Sequence, residues 1–390
     1  MDLDLTGAEL QFREDLQRWL DAVERPTGLR DYGATPTASD IEPARRWQQL
    51  LHAGGWAGLS WPVEHGGRGA SPSEMAIFAE VMAEAGVPRQ LNIVGLELAA
   101  PMIMAFGTAA QKARHLQAIL TGEEVWCQLF SEPNAGSDLA SLTTRATERD
   151  GRWLVSGQKV WTSGAHYSNF GLLLARTDPT APDHRGISCF LLPMDRAGIE
   201  ARPLIQMDGE AKFNEVFLDN VEVGSDDLLG ALGQGWQVAM STLGRERLSL
   251  GAQAVALLDS IERLRARRPE RFVDAVVRQV WVSLWIRIRL LRMTWLRAVS
   301  NPGPAGDAAI AVLKLIASEL QRDVAAHSFQ VFGAAAQAGD DVDAVRQRFL
   351  AAPGARLAGG TSEIQRNILG ERVLGLPREP RSINAPIDPK

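Results

Sequence analysis

At 390 residues, with 45% hydrophobic residues and a net charge of −6, the chain is long enough for two or three domains or layers around a full core. A pI near 5.7 offers no basic face for a nucleic-acid backbone. The six histidines never fall at metal-ligand spacing, and no run reaches the about 18 apolar residues of a membrane span, so neither a metal site nor a membrane partner is expected.

The N-terminus, MDLDLTGAEL, lacks the basic and apolar regions of a signal peptide, and the expected location is cytoplasmic. Residues 1–123 read as helical. Leu10, Phe12, Leu16, Trp19, Leu20 and Val23 recur at three- and four-residue steps, which predicts an amphipathic helix. A Gly/Pro-rich connector, 54–72, leads to further helical stretches at 73–86, 92–106 and 111–120.

The character changes over 124–232. Short β-rich segments at 125–130, 152–156, 158–162, 170–176, 186–193 and 213–223 are separated by turn residues, which predicts a small barrel or sandwich. Cys127 and Cys189 lie inside two of these apolar runs and read as small buried hydrophobes. Helical periodicity returns over 233–390, with apolar stripes at 236–266, 273–299, 305–333 and 362–374. The plan is therefore α, then β, then α.

Three segments carry chemistry. Leu129–Asp138 (LFSEPNAGSD) begins as a strand and ends in a turn that leaves N–H groups and hydroxyls outward, which suits an anionic or carbonyl-rich ligand as well as it suits an ordinary turn. Lys159–Ala165 (KVWTSGA) places a Trp, a flat apolar plate, before two hydroxyls that could cover and bond an aromatic cofactor. Gly359–Asn367 (GGTSEIQRN) sets two glycines before a helix start, and the spacing of Ser362 and Gln365 predicts a capping box there. Gly230–Gly235 does not fit the dinucleotide fingerprint and opens no βαβ unit.

In this order and on this plan, SEPNAGSD, KVWTSG and GGTSEIQRN closely resemble the acyl-CoA dehydrogenase family. The likeness spans nearly the whole chain, including WAGLSWPVEHGGRG, KFNEVFLDNVEV and GQGW. It implies an α-helical N-terminal domain, a central β-barrel and a C-terminal four-helix bundle, with FAD as cofactor. By motif match, Gln128, Ser131, Gly136 and Ser137 line the flavin, and Ser137 also faces the CoA pyrophosphate. Trp161 and Ser163 pack on and bond its ring system, and Thr361 and Glu363 contact its adenosine and pyrophosphate. Gln330 and Gly333 reach the FAD of a neighbouring subunit, which implies a dimer or tetramer. Family members commonly carry R-x-x-F-G before the third C-terminal helix. Here the segment reads ARRPERFVDAVVRQ, and the resemblance implies that Gln279 keeps part of that role.

The resemblance also implies a base, because a thioester α-proton must leave as the flavin takes the β-hydride. Most of the family carry a carboxylate immediately before the Gly-Thr of the third motif. That position is Gly359 here, which keeps a backbone N–H for the thioester carbonyl and, with Gly360, belongs to the substrate site. A smaller branch, typified by isovaleryl-CoA dehydrogenase, places the glutamate in an L-x-x-E-R pattern. Leu243-Gly244-Arg245-Glu246-Arg247 matches it, with Glu246 as base and Arg247 as substrate-binding neighbour. Taken alone, Glu246 would read as a solvated helix glutamate. The vacancy at 359 and the place after GQGW favour the base. The expected reaction is α,β-desaturation of an acyl-CoA, with a branched, cyclic or sterol-derived acyl group favoured and electrons passed to an electron-transfer flavoprotein. The alternatives are oxidase, monooxygenase or desulfinase chemistry on the same scaffold, or a subunit completing FAD sites in a heteromer.

Overall fold

A computed structural model of the protein describes residues 5–30, 32, 35–243, 252–300, 304–338 and 343–377. Its N-terminal helices are α1 (Gly7–Ala22), α2 (Ile41–Ala53), α3 (Pro72–Glu84), α4 (Ala100–Phe106) and α5 (Ala109–Thr121). Thr6, Ser71 and Thr108 cap α1, α3 and α5, each completing a reciprocal box with the Glu or Gln three residues on. In α1 the predicted stripe buries Phe12, Leu16 and Leu20.

The first part of the Gly/Pro-rich connector, Trp56–Trp61, belongs to the core, while its remainder lies largely exposed. Trp56, Leu59 and Trp61 are buried, and Trp61 Nε1 donates to the Leu96 carbonyl at 2.9 Å. A Cβ at Gly67 would stand 2.2 Å from the Trp61 carbonyl oxygen, so only glycine lets the chain close over this ring.

The middle region holds β1 (Trp126–Leu129), β2 (Arg145–Arg149), β3 (Arg152–Ser163), β4 (Phe170–Arg176), β5 (Ile187–Pro193), β6 (Ile199–Leu204), β7 (Phe213–Gly224) and β8 (Leu228–Leu229). They form one sheet in the order β6-β7-β3-β2-β4-β5-β8, with β1 parallel to β4. The two segments expected at 152–162 are a single strand, β3. Its register against β7 shifts between Val155 and Gly157 and again between Lys159 and Thr162. Strands β2 and β6 are additional; β2 (RATER) is largely exposed and polar, and β6 (IEARPL) is a short strand whose alternation covers only Ile199–Arg202.

The sheet wraps around its own core, where Trp153 of β3 lies 5.8 Å from Phe190 of β5. Pairing ends at β6 and β8, which do not pair with each other among the described residues, so the expected barrel takes the form of a wrapped sheet with two edges. The opposite face of β4 and β5 (Leu172, Leu174, Cys189 and Leu191) packs into the core of the N-terminal helices. Burial on both faces explains the unbroken apolar runs of these strands. Cys127 and Cys189 are buried and free, as expected.

The C-terminal helices are α6 (Gly235–Leu243), α7 (Ala252–Arg267), α8 (Ala275–Ser300), α9 (Pro304–Phe332), α10 (Ala335–Ala338), α11 (Asp343–Ala355) and α12 (Ser362–Ile368). Leu257 and Ile261 of α7, Leu284 and Ile288 of α8, and Leu313 and Leu320 of α9 share one core. No helix among the described residues is long and apolar enough to cross a membrane.

Arg292 of α8 reaches back to α3, donating to both oxygens of the buried Glu80 carboxylate at 2.7 and 3.1 Å. Glu80→Gln leaves the guanidinium without its charge partner. We expect a loss of about 2–3 kcal/mol, read as a lower denaturant midpoint at unchanged slope.

Candidate active site

The SEPNAGSD loop is locked to β3 by a buried ion pair. Glu132 and Asn134–Ala135 form a tight turn, with Glu132 N donating to the Ala135 carbonyl at 3.0 Å and the reverse bond at 3.1 Å. The Glu132 carboxylate points inward and accepts from Lys159 Nζ at 2.8 Å, Thr143 N at 2.7 Å, Thr143 Oγ1 at 2.8 Å and Thr144 N at 2.9 Å. Lys159 also donates to the Phe130 carbonyl at 3.1 Å, and its side chain is 0% exposed. Burial alone would raise the Glu132 carboxyl, but the Lys159 charge and these hydrogen bonds outweigh it and hold the group at about 2. Burial draws the Lys159 ammonium down to about 8 against the pull of Glu132. Both therefore stay charged at neutral pH.

One residue on from this clamp, Val160 N donates to the Ser131 carbonyl at 2.9 Å. Trp161 follows at the register shift with φ +59°, a strained conformation for a bulky residue, and it is 60% exposed with Phe213 edge-on at 6.0 Å. Thr162 Oγ1 beside it is buried and has no partner among the described residues. Gln128 and Ser131 are half-buried, Gly136 and Ser137 exposed, and Ser163 half-buried at the end of β3. No atom lies within 4 Å of where a Cβ at Gly136 would stand.

The third motif sits on α9. Gly359 and Gly360 take φ of +64° and +92°. The cap of α12 is Thr361, whose hydroxyl accepts from Ile364 N at 3.2 Å, one residue before the expected Ser362. Ser362 Oγ is drawn instead to Glu319 of α9 at 3.1 Å, and Gln365 Nε2 donates to the Gly359 carbonyl at 3.2 Å, so neither is left for a capping box. The N–H groups of Gly359, Gly360 and Thr361 donate to nothing among the described residues. Glu363 is exposed.

Gln279 lies exposed on α8, and Gln330 is exposed near the end of α9, which Gly333 closes with φ +60°. Gln128, Ser131, Gly136, Ser137, Trp161 and Ser163 thus form one set around the sheet, and the remaining described candidates a second on the C-terminal helices. No hydrogen bond joins the two sets among the described residues. Glu246 and Arg247 lie outside the described residues. Asn92 is wholly engaged by the chain itself, bonding Glu124, Ile119, Gly95 and Trp126, so it holds α5 to β1 rather than facing a ligand.

Family models of the acyl-CoA dehydrogenase N-terminal, middle and C-terminal domains match residues 7–123, 127–221 and 233–374. The chain belongs to the acyl-CoA dehydrogenase family. It is 38% identical over 378 residues to acyl-CoA dehydrogenase IpdE1 of Mycobacterium tuberculosis, covering 95% of this chain and 98% of the relative. A solved structure described as the Tcur3481-Tcur3483 steroid ACAD superposes with a TM-score of 0.85 at 27% identity, covering 97% of this chain and 100% of that one. The ChsE4-ChsE5 complex from Mycobacterium tuberculosis gives a TM-score of 0.82 at 26% identity, with the same coverage.

The acyl-CoA dehydrogenase is therefore an FAD-dependent oxidoreductase. Its sheet residues fit a flavin: β3 carries an exposed, strained Trp161 and the unpaired buried hydroxyl of Thr162, and the SEPNAGSD segment bonded to it at Ser131 carries the open Gly136. Reading the motifs as ligand contacts overlooked the residues that hold them, namely Glu132 with Lys159, and Lys314 with Glu319. The available signal was compositional. The chain has five lysines, and Lys314 is placed within the apolar run AVLKLIA, whereas Lys159, between Gln158 and Val160, carries no such signal.

Proposed function

We propose that the protein desaturates a bulky acyl-CoA at its α,β bond, using Glu246 as the base and passing electrons to an electron-transfer flavoprotein. The observation that carries this reading is the Gly359–Thr361 turn. It offers free N–H donors where a thioester carbonyl would bind, yet position 359 has no side chain to take a proton. A carboxylate from elsewhere must then reach the α-carbon, and Glu246 matches the shifted position. Donors aimed at the carbonyl stabilise the enolate that develops as the proton leaves. Arg247 would stand beside the base on the substrate. FAD, when bound, supplies the acceptor for the β-hydride. Gln128, Ser131, Gly136, Ser137, Trp161, Ser163, Thr361 and Glu363 would hold it, with Ser137 also toward the CoA pyrophosphate.

A bulky, sterol-derived acyl group is supported by the shifted base and by the likeness to a steroid ACAD. Anaerobic mixing with linear, branched, cyclic and sterol-side-chain acyl-CoAs tests it. Bulky thioesters are expected to bleach the flavin fastest, and a linear chain outpacing them tenfold would sink the substrate assignment.

Assembly into a dimer or tetramer is supported by α8, where Val276, Val280, Ile286 and Leu290 surround Gln279 as exposed apolar residues. Gln279, Gln330 and Gly333 would then face the FAD of the adjoining subunit. A heteromer is the second reading, favoured by the absent R-x-x-F-G. The turn in its place, Pro269–Val273, is held from within by Arg278 Nη1 on the Phe272 carbonyl at 3.1 Å. Protein purified alone with one FAD per chain would favour the homomer; protein that holds FAD only with a second chain would favour the heteromer.

A further inference from the structure

Lys314 lies on α9 within the run AVLKLIA and is buried. A lysine seldom sits in such a place unless its charge is engaged. Its Nζ donates to the Gly360 carbonyl at 2.7 Å and to the Arg356 carbonyl at 3.4 Å, the two ends of the stretch that leads into the third motif. Five residues further along α9, Glu319 takes Ser362 Oγ at 3.1 Å and Arg366 Nη2 at 3.4 Å. Gln365 Nε2 meets the Gly359 carbonyl from below at 3.2 Å. The carbonyls of Gly359 and Gly360 are thus engaged by side chains, while the N–H groups of Gly359, Gly360 and Thr361 are left undonated among the described residues.

The consequence is electronic as well as geometric. The Gly360 carbonyl and the Thr361 N–H belong to one peptide unit, as do the Gly359 carbonyl and the Gly360 N–H. A cation on a carbonyl oxygen withdraws density from its peptide and makes the attached N–H a stronger donor. It also fixes the unit against rotation, which matters where two adjacent residues hold positive φ and have no side chains of their own to pack.

We propose that Lys314 is a positioning residue for the thioester-carbonyl site. Its buried ammonium holds the Gly359–Thr361 turn in place and, through the Gly360 carbonyl, polarises the Thr361 N–H toward the substrate oxygen. This rests on the reading of that turn as the carbonyl site. Gln365 supports the first peptide of the turn as Lys314 supports the second.

The test uses holoenzyme carrying Lys314→Met or Lys314→Arg. The probe is trans-2-octenoyl-CoA labelled with carbon-13 at the thioester carbonyl, followed by infrared difference spectroscopy. In the wild type the bound carbonyl band is expected below its position in water. Lys314→Met should lose part of that shift and Lys314→Arg should restore some of it, while FAD content stays full. Flavin reduction per bound FAD should fall about tenfold in Lys314→Met, as for partial loss of an oxyanion donor. Amide exchange of the peptide covering 356–363, which needs no substrate, should accelerate in Lys314→Met and not elsewhere. A Lys314→Met protein with the wild-type carbonyl shift, or with unchanged exchange in that peptide, overturns the proposal. A wild type that binds the probe without any shift overturns the carbonyl-site reading itself, and Lys314 with it.

Discussion

Glu246→Gln leaves FAD bound and abolishes its reduction by an acyl-CoA. Glutamine matches glutamate in shape and can still hydrogen-bond, but it cannot accept the α-proton at neutral pH. Loss of a general base typically costs about 10²–10⁴-fold, and no carboxylate at 359 stands in reserve here. Arg245 and Arg247 flank the glutamate, and removing its charge would not leave a buried cation stranded if the segment were merely solvated. That contrast separates the two readings. A surface glutamate predicts unchanged kinetics and stability, whereas the base predicts intact folding and FAD content with no bleaching. Glu246→Asp, which keeps the acid on a shorter arm, should retain a small fraction of the wild-type rate.

The second large effect falls on the clamp between the two flavin segments. Glu132→Gln is expected to cost about 3–5 kcal/mol and to weaken FAD retention, because it strands the fully buried Lys159 ammonium. Lys159→Met should do comparable harm by leaving the Glu132 carboxylate with only the Thr143 and Thr144 donors. The double variant should recover part of the loss, since the pair together gains little over an apolar replacement. Acid provides a check without mutation. Glu132 sits at about 2 in the fold, below its ordinary 4.5. Its contribution is therefore fully present above pH 4.5 and is lost as pH falls from there through about 2. The wild type should lose stability steeply over that window, and Glu132→Gln should lose less. Equal acid slopes in denaturant titrations would contradict the clamp.

Much of this was readable from residues alone. The α–β–α order followed from the change in period near Val125, and the unbroken GLLLAR and ISCFLLP runs became strands buried on both faces. What escaped is of one kind. Strand β2 is short and largely polar, and β6 is a short edge whose alternation runs only over Ile199–Arg202. The connector at 54–72 looks like loop although Gly58 and Gly67 lie against the buried Trp61. In the site, motif spacing located the surfaces that face a ligand but not the buried charges behind them. Glu132 and Lys159 are far apart in sequence, as are Lys314 and Glu319 of α9 from the Arg356–Arg366 stretch they hold, so only the fold brings these partners into contact. The cap at Thr361 rather than Ser362 has the same origin, because α9 claims the serine hydroxyl for Glu319. Local rules place a cap from its own neighbours and have no term for a carboxylate on another helix.

The base assignment can be tested at the proton itself. Holoenzyme incubated in D₂O with a 3-thiaacyl-CoA, in which sulfur at the β-position blocks hydride loss, should exchange the α-hydrogens of the thioester for deuterium. Glu246→Gln should show no exchange above the buffer background, with the ligand still bound. Exchange at the wild-type rate in that variant would contradict Glu246 as the base.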